Sequence, residues 1–290
     1  MSVDRNIEIS GYPVIILAGG NGARMPAQIR HVPKATLIAY DEPLVVQIIK
    51  QIREAECGDD IVISTSPKWY KQISDITAHI ISGTGRLTGS PGRGVNIRVL
   101  MNRAHCRGPL PALSLAIKTV KANRCLMCLG DIYFRSNPFY LFAGDLDPEV
   151  DYLGVREVYD PGELRTGGLV YCAGDEVRVV SERRRASRFH ALRWSGITLF
   201  GAGLRRDLTE FLTRFPDTSA LGDFCEFRRR AGRRVQVLEV SEFVNVNTRE
   251  HLLLANLYAA MESYSRRSSI YWSLERVTNE LRRKILRRSD

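Results

Sequence analysis

Hydrophobic and polar positions along the first half of the chain switch repeatedly between two periods. Residues 12–18 (YPVIILA) form a short apolar run closed by glycines at 19 and 20. That is the pattern of a strand buried on both faces and running into a loop. Pro43 follows, with apolar residues at 44, 45, 48, 49 and 52. Proline suits the first turn of a helix and the spacing is helical. Residues 60–65 predict a second strand, 67–80 a helix, 95–101 a third strand, 110–122 a helix and 125–130 a fourth strand. This alternation implies a parallel sheet with helices on both faces. Ligands of such sheets lie beyond the carboxyl ends of the strands. Residues 19–34 and Asp131 both follow strand ends, so they are expected to converge on one cleft.

The second half is patterned differently. Short strands are predicted at 152–158, 167–172, 176–181 and 195–200, helices at 205–214 and 219–231, and a strand at 235–240. A loop at 243–248 and another helix follow. This half is expected to extend the sheet and wall the cleft. The glycine-rich stretch 83–94 is expected to be a mobile loop. Residues 264–290 hold eight basic and three acidic side chains. Ile270, Leu274, Val277, Leu281 and Ile285 recur there at three- and four-residue steps, giving a helix with one apolar face. That face suits packing on the chain's own domain, oligomerisation, or a basic helix lying on a membrane surface.

Composition narrows the class. The chain has 290 residues, 44 % hydrophobic and 26 % charged, which excludes wholesale disorder, collagen and coiled coil. No apolar run approaches the ~18 residues of a membrane span, and the first ten residues lack the apolar core of a signal peptide. A cytoplasmic protein is therefore expected. The net charge is +10, with 35 Arg and 7 Lys. Such a balance fits phosphate-bearing partners, and equally a compositional drift toward Arg. No nucleic-acid-binding module is recognisable, so no nucleic-acid partner is expected. Of six cysteines, Cys125 and Cys128 form a CxxC. On a strand their sulfurs point to opposite faces, which argues against a shared zinc.

The most specific chemistry lies in ILAGGNGARMP at 16–26, continuing to HVPKATL at 31–37. A strand ending in Gly-Gly-Asn-Gly offers closely spaced backbone N–H groups that can wrap a base and phosphates. Arg24 adds a fork of donors for phosphate oxygens, and Lys34 a compact positive charge. The string is neither a dinucleotide fingerprint nor a P-loop.

This segment resembles the sugar-phosphate nucleotidyltransferases, whose signature is LAGGxGTRLxPLTxxxPKxLLPV followed by GxPLI at a helix start. The chain reads LAGGNGARMPAQIRHVPKATLIAY and then DEPLVVQII. CRGPLPALSLA stands at the family's GTAxAL segment and CLMCLGDIYF at its LGD strand end. Gly168-Leu-Val, Ser181-Glu-Arg183, Trp194-Ser-Gly196 and Val244-Asn-Val-Asn-Thr248 follow in the family's order, so the resemblance spans roughly 12–260.

The resemblance implies a Rossmann-like, three-layer α/β/α fold with a mixed, mainly parallel sheet. It implies a catalytic domain over 1–262 and a basic amphipathic helical extension over 263–290. The implied partners are a nucleoside triphosphate and a small phosphorylated acceptor, with Mg²⁺ as cofactor and nucleotide-sugar plus pyrophosphate as products. By position, Arg24, Lys34 and Asp131 are the catalytic residues. Leu17, Ala18, Gly19, Gly20, Gly22 and Gly108 would line the nucleotide. Gly168, Glu182 and Arg183 would face the acceptor, and Asp131 and Asn247 would hold the metal. A homo-oligomer is expected.

Two departures matter. Pro109-Leu-Pro111 replaces the family's small residues and removes two backbone donors that could meet the base. Asn245 and Asn247 stand where many members have Asp. Two further readings stay open. One is the same chemistry on a non-sugar acceptor: cyclitol phosphate, choline phosphate, phosphonate or molybdopterin. The other is a non-catalytic nucleotide-binding regulator.

Overall fold

The computed structural model describes residues 11–20, 25, 27, 30–58, 60–83, 96–158, 168–173, 176–181 and 190–287. Strand β1 (Val14–Leu17) is the centre of a parallel block, flanked by β4 (Asp60–Thr65) and β6 (Cys125–Leu129). β5 (Asn96–Met101) pairs in parallel with β4 and closes that edge. These strands are uniformly apolar because both faces are covered. Ile16 packs with α1 (Leu44–Glu54) and α2 (Tyr70–Gly83) on one side; Ile15 and Leu17 pack with α3 (Pro109–Val120) on the other. The helices expected at 44–52, 67–80 and 110–122 are thus present with shifted ends.

β11 (His190–Phe200) joins the two halves. Its end pairs antiparallel with β6, its start pairs with β9 (Leu169–Ala173), and its other edge pairs with β8 (Val150–Glu157). β10 (Glu176–Ser181) pairs antiparallel with β9, and β12 (Arg234–Glu239) runs parallel to β8. Among the described residues the sheet has nine strands. These pairings make seven of them run one way, with β10 and β11 reversed. α4 (Leu204–Arg214) and α5 (Leu221–Arg230) cover the same face as α3. The result is the mixed, mainly parallel three-layer fold that the motifs imply.

β11 is five residues longer than its predicted span and is bent. Its register against β8 shifts between Trp194 and Thr198. Gly196 in the bend has φ +81°, and a Cβ there would overlap Ile132 Cδ1, so only glycine fits.

Two short ladders were not expected. β2 (Ile38–Ala39) pairs with β3 (Glu42–Pro43) just before α1. β13 (Phe243–Asn245) pairs antiparallel with β7 (Ile132–Phe134), where a loop was predicted. The pattern was present: in Phe-Val-Asn-Val-Asn at 243–247, Val244 and Val246 are buried and the asparagines less so.

A third apolar cluster joins Met25, Leu37, Ala39, Tyr133 and Val244 to α6 (Arg249–Glu262). The basic tail forms α7 (Ser269–Arg287), which packs on this cluster through Tyr271, Leu274, Leu281 and Ile285. The predicted face is therefore rotated. Ile270 and Val277 are about half exposed, whereas Tyr271 and Thr278 are buried. The expected glycine-rich loop at 83–94 falls, after Gly83, outside the described residues.

Candidate active site

Loops at the carboxyl ends of β1, β4 and β6 build one side of the site. Gly130 N–H donates to the Leu17 carbonyl, Ala18 N–H to the Ser64 carbonyl, and Thr65 Oγ1 to the Ala18 carbonyl. Leu17 and Ala18 are thereby clamped between the two neighbouring strands. Gly19 is buried and Gly20 exposed; among the described residues no atom lies within 4 Å of where a Gly20 Cβ would be.

The loop returns through Met25, which is buried in the third cluster, and Arg30 Nε donates to the Met25 carbonyl at 2.6 Å. A single 3₁₀ turn, Lys34–Thr36, follows. Pro33 is extended before it, and Thr36 and Leu37 N–H groups close on the carbonyls of Pro33 and Lys34. This turn fixes the Lys34 backbone and leaves only its four-carbon stem adjustable.

Asp131 follows β6, one residue past Gly130. The β7–β13 ladder brings the distant 243–248 segment beside it. Asn245 faces Ile132 in register, and Val246 N–H donates to the Asp131 carbonyl at 2.8 Å. Lys34 then reaches both elements. Its Nζ donates to Asp131 Oδ2 at 2.9 Å and to Asn247 Oδ1 at 2.6 Å. Asn247 Nδ2 donates to Asn245 Oδ1 at 2.7 Å, which settles the orientation of the Asn247 amide. The Lys34 side chain is 10 % exposed and that of Asp131 22 %. So three residues that the sequence separates widely, Lys34, Asp131 and Asn247, meet at one point.

The oxygens of Asp131 and Asn247 already converge on a cation, the Lys34 ammonium. A carboxylate and an amide oxygen are hard donors, and the pair fits Mg²⁺ in chemistry. Among the described residues no three His, Cys, Asp or Glu side chains gather into a metal-binding cluster. The CxxC behaves as expected: Cys125 packs in the cluster on one face of β6 and Cys128 in that on the other. Burial pushes the Cys128 thiol up, and the Asp131 carboxylate adds to this, so it stays a protonated thiol.

Gly108 caps α3 with φ +106°, and a Cβ there would overlap Ser219, so the α4–α5 connection closes against this corner. Pro109 and Pro111 lie in the first turn of α3, where backbone donors lack helical partners anyway, so they start the helix rather than break it. The donors they remove are nonetheless lost to a ligand. Gly168 lies past the carboxyl end of β6, its carbonyl accepting from Trp194 N–H at 2.8 Å. It stands on the same side of the sheet as Asp131. Gly22, Arg24, Glu182 and Arg183 lie outside the described residues.

Asn102 was not singled out from sequence. It is fully buried at the end of β5; its Nδ2 donates to Ser64 Oγ and to the Ala112 carbonyl, each at 2.8 Å, and its Oδ1 accepts from Ala104 N–H. It ties the end of β4 to the first turn of α3. Nothing local in the sequence marks it, since all its partners but Ala104 are distant.

Residues 14–141 match the model of the MobA-like NTP transferase domain. That stretch, somewhat under half of the chain, is similar to such a domain. The fold of the chain agrees across almost the whole length of solved relatives. An inositol-1-phosphate CTP transferase from T. maritima superposes with a TM-score of 0.67 at 15 % identity, covering 86 % of this chain and 95 % of that one. The UTP-bound UGPase from Acinetobacter baumannii gives 0.67 at 14 % identity, covering 93 % and 99 %. HddC from Yersinia pseudotuberculosis gives 0.60 at 18 % identity, covering 84 % and 98 %. No curated protein matches the sequence. The family model and these structures are of nucleotidyltransferases, and no described helix is long and apolar enough to cross a membrane.

Proposed function

We propose that this protein transfers a nucleotidyl group from a nucleoside triphosphate to the phosphate of a sugar 1-phosphate, with Mg²⁺, releasing pyrophosphate. The observation that carries this reading is the meeting of Lys34, Asp131 and Asn247 at the carboxyl edge of the sheet. It lies beside the Gly19–Gly20 end of β1.

A phosphate oxygen of the acceptor attacks the α-phosphorus in line; the new P–O bond forms as the bond to the pyrophosphate oxygen breaks. Both reactants are anions and no covalent enzyme intermediate is required. The protein's task is to position them and stabilise charge on the phosphorus. Lys34 can turn its ammonium to a phosphate oxygen. Arg24 would meet the leaving pyrophosphate. Asp131 and Asn247 would hold the metal, which when bound neutralises phosphate charge. The backbone from Leu17 to Gly20, with Gly22, would line the nucleotide, and Gly108 would border the base. Gly168, Glu182 and Arg183 would meet the acceptor, in the cytoplasm.

A cyclitol phosphate is the second reading for the acceptor, because the Pro109–Pro111 turn departs from the sugar-phosphate pattern and a structural relative is named for inositol 1-phosphate. The test is pyrophosphate release with Mg²⁺, crossing nucleoside triphosphates with sugar 1-phosphates, cyclitol phosphates, choline phosphate and phosphonates. A productive sugar 1-phosphate supports the proposal. Turnover only with another acceptor moves the assignment to it. Triphosphate binding with no turnover across the panel moves the assignment to an acceptor outside it, and silence with no binding supports the non-catalytic reading.

A further inference from the structure

Lys34 sits where a cation shared by Asp131 and Asn247 has to sit. Its ammonium is 2.9 Å from Asp131 Oδ2 and 2.6 Å from Asn247 Oδ1. Mg²⁺ takes oxygen ligands at about 2.0–2.1 Å. An ion bound by both oxygens therefore claims the space the ammonium fills. Resting on the nucleotidyl-transfer reading, we propose that Lys34 blocks the metal seat of the free protein and yields it when the phosphates of a bound triphosphate draw its ammonium away.

The surroundings leave Lys34 as the part that moves. Asn247 has its amide turned by the hydrogen bond to Asn245, so Oδ1 points at Lys34. The Asp131 backbone is held by Val246 N–H and by the β7–β13 ladder. The Lys34 backbone is fixed by its 3₁₀ turn, but its side chain pivots on a flexible stem. Asn247 is oriented in advance, Asp131 is held at its backbone on a short side chain, and Lys34 on its long stem can exchange a carboxylate for a phosphate. The chain thus binds a divalent cation weakly alone and well together with a triphosphate. An ion cannot settle on Asp131 and Asn247 before the nucleotide arrives.

The test is Mn²⁺ binding followed by electron paramagnetic resonance without nucleotide. Wild type is compared with Lys34→Met, with Lys34→Gln as a second variant should the first fail to fold. Removing a positive charge in contact with the seat raises Mn²⁺ affinity by about tenfold or more. That gain disappears in Lys34→Met/Asn247→Ala and in Lys34→Met/Asp131→Asn. Equal affinities in wild type and the Lys34 variants overturn the proposal. A gain that survives Asn247→Ala also overturns it, because long-range charge alone then explains the effect. Triphosphate binding to wild type is measured in parallel by calorimetry. Failure to bind any triphosphate overturns the nucleotidyl-transfer reading itself, whereas triphosphate binding with equal Mn²⁺ affinities overturns only the blocking role.

Discussion

Asn102 and Lys34 show how single side chains join distant segments. Asn102 is fully buried and makes hydrogen bonds through both its oxygen and its nitrogen. Asn102→Ala leaves Ser64 Oγ and the Ala112 carbonyl without that donor. The expected loss is about 1–3 kcal/mol, the cost of buried polar groups left unpaired. Urea denaturation measures it, and an unchanged midpoint would show that the tie contributes nothing. Lys34 and Asp131 were singled out by local strings, PKATL after a glycine-rich strand end and LGD, and the two side chains meet in the fold. Asn247 was preferred over Asn245 as a ligand, and it is Asn247 Oδ1 that faces Lys34 while Asn245 orients it. Asn102 was invisible because the two distant segments it joins, the end of β4 and the first turn of α3, meet only in the fold.

At the scale of elements, the strands of the parallel block were read nearly to the residue. Apolar runs that short and that rich in β-branched residues have few alternatives. The β7–β13 ladder escaped because each strand has three residues, too few for alternation to stand out. Helix α7 was found by its period, and Leu274, Leu281 and Ile285 of its expected face do pack, but Tyr271 and Thr278 take the places expected of Ile270 and Val277. Its sequence offers Ile270, Val277 and Trp272 as well as Tyr271, Leu274 and Leu281, and only packing on α6 decides between the two stripes. A paired substitution tests the observed side. Leu274→Asp buries a carboxylate in the third cluster and should lower stability by about 2 kcal/mol or more. Val277→Asp, on a half-exposed position, should stay within about 0.5 kcal/mol of wild type. Thermal unfolding of the two variants separates them, and the reverse order would put the wrong face against α6.

On the scale of the molecule, the second half is tied together by a buried charge network. Arg228 of α5 is fully buried; its Nε donates to Asp151 Oδ2 of β8 at 2.7 Å and its Nη1 to Asp207 Oδ2 of α4 at 2.5 Å. Burial opposes its charge, but hydrogen bonds and charge from Asp151, with Asp207, overcome this and push its pKa up. Arg228→Met would take the buried Asp151 carboxylate's cation away, while Asp207 keeps Arg206 and Arg233, and cost roughly 3–5 kcal/mol. Denaturant titration checks this, and a loss under about 1 kcal/mol would show that Asp151 finds another partner. Part of the basic excess is thus structural, as here, and does not face a ligand. The alternation of strand and helix made the fold class legible; the bent β11 joining the halves was not, because its turn is set by a glycine whose need appears only in three dimensions.

The central claim is that Lys34 and Asp131 form the centre of a nucleotidyl-transfer site. It is tested most directly by pyrophosphate release from wild type and Asp131→Asn, on a triphosphate–acceptor pair that the wild type uses. The account predicts a fall of about 10²–10³-fold or more for Asp131→Asn, the scale of losing one group that stabilises the transition state. Its circular dichroism spectrum should match that of the wild type, showing that the fold is kept. Turnover within a few-fold of wild type would contradict it.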